Sequence, residues 1–111
     1  MKSDIAPMLR RPNDPALLLL TSLASGPKHG YALLKDVEEF AGVTLSPGTL
    51  YGAITRLEES GLIEPLANDD RRRPYRLTAN GARALKEVTS EMRRLANVGI
   101  ARLRLAPGGS R

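Results

Sequence analysis

Ser46-Pro47-Gly48-Thr49-Leu50-Tyr51, followed after one helical stretch and a turn by Arg71-Arg72-Arg73-Pro74-Tyr75-Arg76-Leu77-Thr78, decides how this chain folds. Ser46 reads as a helix N-cap, because its side-chain oxygen can accept from an amide of the first turn. Pro47 suits the first helical position, where its missing N–H is no loss. Leu50, Ala53, Ile54 and Leu57 then recur at 3–4 spacing and predict a buried stripe. Gly48, Thr49, Gly52, Thr55 and Arg56 fall on the other side of that helix, which is small and polar. The second stretch reads as the return strand of a hairpin with three cations at its tip. A short polar-faced helix followed directly by a basic hairpin is the plan of a winged helix, which sets the helix in a DNA groove and touches the backbone with the wing.

Working upstream, His29-Gly30 opens a helix over residues 31–41, with Leu33, Leu34, Val37 and Phe40 forming its apolar stripe and Gly42 ending it. A helix, the short link Val43-Thr44-Leu45 and a second helix make a helix-turn-helix. Before it, Asp14 and Pro15 start another helix, which carries Leu17, Leu18, Leu19, Leu20 and Leu23 and stops at Gly26-Pro27. Four consecutive leucines cover more than one helical face, so Leu17, Leu18 and Leu20 are expected to need cover from a second subunit. Residues 1–13 contain Pro7 and Pro12 and read as an arm with little regular structure.

Working downstream, Gly61 fits the left-handed position past the third helix, with Leu62 folding back on Leu57. Residues 62–67 and 72–77 read as strands joined through Asn68-Asp69-Asp70, with Ile63, Tyr75 and Leu77 toward the core. Pro65 and Pro74 cannot donate to a ladder, so these strands are short or edge-like. Thr78 caps a final helix over residues 79–105, roughly 40 Å long. Leu85, Val88, Met92 and Leu95 form a seam that shifts toward Ala96, Ile100 and Leu103, and such a seam on a projecting helix wants a partner helix. The expected fold is mainly α with a small β-hairpin. It comprises an arm (1–13), a winged helix-turn-helix DNA-binding domain (14–78), a C-terminal dimerisation helix (79–105) and a flexible tail (106–111).

Composition narrows the chemistry. A chain of 111 residues is one small domain, with room for one projecting element. With no cysteine there is no disulfide framework and no thiolate site, and the single histidine, His29, cannot build a metal site or a catalytic triad. No paired carboxylates, nucleophile–base set or phosphate loop of recognisable spacing appears, so neither an enzyme nor a cofactor or metal protein is expected. The longest apolar run, residues 16–20, is far short of the roughly 20 residues a membrane span needs, and no secretory segment is visible, so a cytoplasmic protein with no membrane partner is expected. The net charge of +5 is uneven: residues 1–70 hold 6 Lys/Arg against 10 Asp/Glu, and residues 71–111 hold 11 against 2. A polyanionic partner follows, met by the wing and the last helix more than by the reading helix.

The candidate DNA-contacting residues are Ser46, Gly48, Thr49, Tyr51, Gly52, Thr55, Arg56, Arg71, Arg72 and Arg73. Glycine keeps no side chain between backbone and duplex, threonine and tyrosine hydroxyls can bond phosphate, and arginine can reach guanine or phosphate. The helix start, with free amides and partial positive charge, suits a phosphate oxygen. The candidate dimer residues are Leu17, Leu18, Leu20, Leu85, Val88, Met92, Leu95, Ile100 and Leu103. A different reading, a winged-helix protein–protein interaction module without sequence-specific DNA binding, draws on the acidic balance of the first seventy residues.

The motifs Gly26-Pro27-Lys28-His29-Gly30-Tyr31, Leu45-Ser46-Pro47-Gly48-Thr49-Leu50-Tyr51, Arg56-Leu57-Glu58-Glu59-Ser60-Gly61-Leu62-Ile63 and Arg72-Arg73-Pro74-Tyr75-Arg76-Leu77-Thr78-Ala79-Asn80-Gly81, in this order, resemble the PadR family of bacterial transcriptional regulators. The resemblance runs over residues 17–105 and is nearest the family's compact subgroup, with one helix after the wing. It implies a homodimeric repressor whose last helix packs on the partner's first and last helices, whose two reading helices meet a palindromic operator, and which leaves DNA when a small-molecule effector binds near the dimer interface. Two positions depart from the pattern. Gly52 stands where many relatives carry proline, and no aromatic residue follows Tyr75, so the last helix has no stacking clamp for an aromatic effector.

Overall fold

The computed structural model describes residues 5–67 and 73–105. The expected turn Asn68-Asp69-Asp70, the wing-tip residues Arg71 and Arg72 and the tail 106–111 lie outside the described residues. The elements are α1 (Ala6–Leu9), α2 (Pro15–Leu23), α3 (Gly30–Ala41), α4 (Pro47–Glu59), β1 (Ile63–Pro65), β2 (Tyr75–Leu77) and α5 (Ala79–Leu105).

Helix α2 starts where the Asp14 carboxylate accepts from the Ala16 amide at 2.9 Å. Its apolar surface goes all round because it is the central helix, packed by α1, α3, α4, α5 and β2. This corrects one expectation. Leu17, Leu18 and Leu20 need no second subunit, being at most 5% exposed within the single chain. A second correction concerns residues 1–13. They contain α1, and Ile5 and Leu9 are buried in the same core as α2.

Helix α3 is capped by His29, whose Nδ1 accepts from the Ala32 amide at 3.4 Å. It ends at Gly42, left-handed at φ 67°. Leu33 and Val37 are buried, but Phe40 is 47% exposed and not part of the core expected of it. Periodicity says which face a residue occupies, not whether a neighbouring element reaches that far along the helix. Ser22 on α2 donates to the Asp36 carboxylate on α3 at 2.6 Å, fixing how the two helices cross.

Helix α4 buries Leu50, Ala53, Ile54 and Leu57. It closes with the Leu62 amide donating to the Leu57 carbonyl and the Gly61 amide to that of Glu58, each at 3.0 Å, with Gly61 at φ 75°. That is the Schellman ending expected from Gly61-Leu62. The hairpin pairs Ile63 with Leu77, Glu64 with Arg76 and Pro65 with Tyr75 in antiparallel register. It is shorter than expected, three residues a strand, which accords with prolines at 65 and 74. On its other side β2 exchanges two backbone hydrogen bonds with Lys28, so Tyr75 is paired to the left and right.

The start of α5 is clamped on the end of α4. Thr78 accepts from the Gly81 amide at 3.0 Å and donates its hydroxyl to the Gly61 carbonyl at 2.7 Å. Gly81 lies so close to the Leu62 carbonyl oxygen that a Cβ there would collide with it. The first half of α5 then packs on the core through Leu85, Val88 and Met92. Val88, assigned above to a dimer seam, is buried within the chain, and Leu85 and Met92 are partly buried. Beyond them Leu95 is 74% exposed and Leu103 65% exposed, with Ile100 exposed too. The projecting rod makes the molecule 61 Å long, with a radius of gyration of 16.4 Å against about 13 Å for a rounded chain of this length. No helix among the described residues is long and apolar enough to cross a membrane.

Candidate nucleic-acid interface

Helix α4 presents Ser46, Gly48, Thr49, Gly52, Thr55 and Arg56 together on its solvent side, all exposed. The Ser46 Oγ accepts from the Thr49 amide at 3.1 Å and donates to the Thr49 hydroxyl at 2.9 Å. Two consequences follow for an anion approaching the helix start. Pro47 has no amide and Thr49 has spent its own, so Gly48 supplies the remaining first-turn N–H. The Thr49 hydroxyl already accepts, which leaves its proton to donate outward. Thr55 is committed the other way, since its hydroxyl donates to the Tyr51 carbonyl at 2.9 Å. It therefore offers only an acceptor, which suits a base amino group and not a phosphate.

Gly48 and Gly52 carry the clearest signal. A Cβ built on either would meet nothing within 4 Å, and neither has positive φ. Nothing among the described residues requires glycine there, although glycine within a helix costs about 1 kcal/mol relative to alanine. The absence of side chains is useful only to something that approaches from outside.

Tyr51 sits on the flank of this face, 52% exposed, with its hydroxyl against the start of α3. A Cβ on Gly30 would meet that hydroxyl at 2.5 Å, so Gly30 is what lets the tyrosine lie over the α3 amide end. Arg73 is exposed at the root of the wing; Arg71 and Arg72 lie outside the described residues. Arg76 is taken up by its cross-strand partner Glu64 at 2.7 Å. Burial pushes the Tyr75 phenol above its ordinary value, the charge of Glu58 adds to that, and the charge of Arg73 opposes it. The wing root and the end of α4 thus share one electrostatic neighbourhood.

Three features were not found by reading the sequence. Glu59 is exposed on the same side of α4 as Gly52, so the far end of that face is acidic and a phosphate is better met at its start. Lys35 lies over the exposed Tyr31 ring at 6.0 Å, placing a cation on α3. Met8 of α1 reaches Arg56, and no local pattern could have announced it, because 48 residues separate the two.

A family model described as the transcriptional regulator PadR-like family matches residues 19–87. An uncharacterized 37.1 kDa protein in transposon TN4556 of Streptomyces fradiae is 45% identical over 85 residues, which is 77% of this chain and 25% of that protein. The chain thus spans a quarter of the length of that curated relative. Among solved structures, a PadR family transcription regulator from Clostridium difficile superposes with a TM-score of 0.70 at 28% identity, over 76% of this chain and 92% of that one. A PadR family transcriptional regulator from Eggerthella lenta gives a TM-score of 0.67 at 31% identity, over 93% and 91%.

Proposed function

The chain belongs to the PadR-like family of transcriptional regulators, and from that premise we propose that it is a sequence-specific DNA-binding repressor acting as a homodimer. In this reading α4 enters the major groove, Gly48 and Gly52 let its backbone approach, the Gly48 amide and Thr49 hydroxyl take a phosphate, and Arg56 reads a base edge. The wing arginines, Arg73 with Arg71 and Arg72, neutralise backbone charge. The observation that carries the reading is the pair of α4 glycines that the interior of the chain does not need.

The dimer is built from the outer half of α5, where Leu95, Ile100 and Leu103 are exposed on a rod that no other described residue covers. Two copies joined there would present their α4 helices about 34 Å apart, one duplex turn, to a palindromic operator. An effector would enter near the same seam, where Arg10, Glu91, Met92 and Leu95 border a shallow cavity of about 160 Å³. Footprinting a retained promoter fragment tests the whole, with an inverted repeat as the expected protection. Replacing the three wing arginines should shallow the salt dependence of binding by about one log unit of slope per lost phosphate contact. An unchanged slope would remove the wing from the mechanism.

One observation favours a different use of the same face, as a protein-binding module. Glu59 stands exposed on α4, in a first seventy residues that hold more acids than bases. Competition separates the two, because a protein module would lose its promoter fragment to random duplex as readily as to the promoter itself.

A further inference from the structure

Arg56 is the only guanidinium on α4, and it is already held. Its Nη1 donates to the Met8 sulfur at 2.8 Å. Met8 and Arg56 both line an open depression of about 200 Å³ that Gly48 and Gly52 also border, so the contact lies on the side of α4 that the proposed function turns toward DNA. Met8 is itself on a fixed support. Ile5 and Leu9 bury α1 in the core, and Arg10 at its C-cap pairs with Glu91 of α5 at 3.2 Å.

A thioether is a weak acceptor, and its use here is positional. A long arginine side chain loses rotamer freedom when it settles on a base, and ordering it beforehand lowers that loss. We propose that Met8 is a positioning residue for base readout, holding Arg56 toward the groove, so that a segment ahead of the helix-turn-helix sets part of the operator preference. This inference rests on the reading of α4 as the DNA-contacting helix.

Enrichment of bound sequences from a random duplex library tests it, using the full chain as wild type, Met8→Leu, Arg56→Ala and the double variant. Leucine keeps the apolar volume of Met8 and removes the acceptor. Arg56→Ala should flatten preference at one base pair of each half-site by roughly tenfold. Met8→Leu should weaken that same base pair about threefold, with an unchanged salt slope and melting temperature, and the double variant should be no flatter than Arg56→Ala alone. The inference is overturned if Met8→Leu leaves that preference intact, shifts a different base pair, or adds to Arg56→Ala. It also falls if Arg56→Ala changes no preference. A wild-type chain that enriches no sequence removes the DNA-reading function and this inference together, an outcome seen in the wild type and not in the variants.

Discussion

Leu17–Leu20 of α2 and the Leu95–Leu103 stretch of α5 are both leucine-bearing helical segments, yet the first is sealed inside one chain and the second stands in water. The difference is one of neighbours and not of composition. Five elements converge on α2. The outer half of α5 has outrun every other element among the described residues, as its rise of 1.5 Å per residue dictates once the winged unit ends. A leucine run therefore signals only that cover exists somewhere, and the length of the helix relative to its domain tells where.

The contrast breaks most readily at Leu19, fully buried on α2. Leu19→Ala should lower folding stability by about 3 kcal/mol in chemical denaturation, because the space left cannot close. A loss below 1 kcal/mol would mean that the α2 core is far looser than its burial implies. Next comes the joint between covered and uncovered halves. Gly81→Ala forces a methyl group into the Leu62 carbonyl, a backbone atom that cannot swing aside, and should cost about 2 kcal/mol. Leu103→Ala should change stability by less than about 0.5 kcal/mol at a dilution where the chain is monomeric. In the proposed dimer, Leu95→Asp with Leu103→Asp should halve the mass seen by light scattering while far-ultraviolet helicity stays. If that mass stays at two chains, the seam lies elsewhere.

The finest sharpening comes from Tyr75, on the covered side. Its phenol is pushed above the ordinary 10.0, so the folded chain disfavours the phenolate and binds more protons than the unfolded chain at alkaline pH. The stability tied to Tyr75 is complete below pH 10 and falls as pH rises through the ordinary value toward the raised one. Urea midpoints at pH 9 and pH 11 should show a decline that is smaller in Tyr75→Phe. Equal declines in the two proteins would remove Tyr75 from the alkaline response.

What could be read from residues alone follows the range of the interactions involved. Asp14, Ser46, Thr78 and Gly61 act within a few residues of themselves, so the helix ends they fix were legible, as was the exposed side of α4 from its 3–4 spacing. Phe40 and the α2 leucines were misjudged because their burial depends on where other elements end in space. Residues 1–13 were read as an irregular arm since Pro7 and Pro12 mask a single helical turn, whose worth lies in two distant burials, Ile5 and Leu9. The site shows the same division. The glycines and hydroxyls of α4 could be named in advance, whereas the outward proton of Thr49, the spent one of Thr55 and the Met8 contact exist only in the folded chain.

The exchange between Lys28 and Tyr75 has a consequence for how such a molecule survives crowded conditions. Among the described residues Tyr75 is paired on both flanks of β2, and on the outer margin of β1 Pro65 withholds a donor. A foreign strand therefore meets a broken row of donors and acceptors here, which weakens the template that edge-to-edge pairing needs.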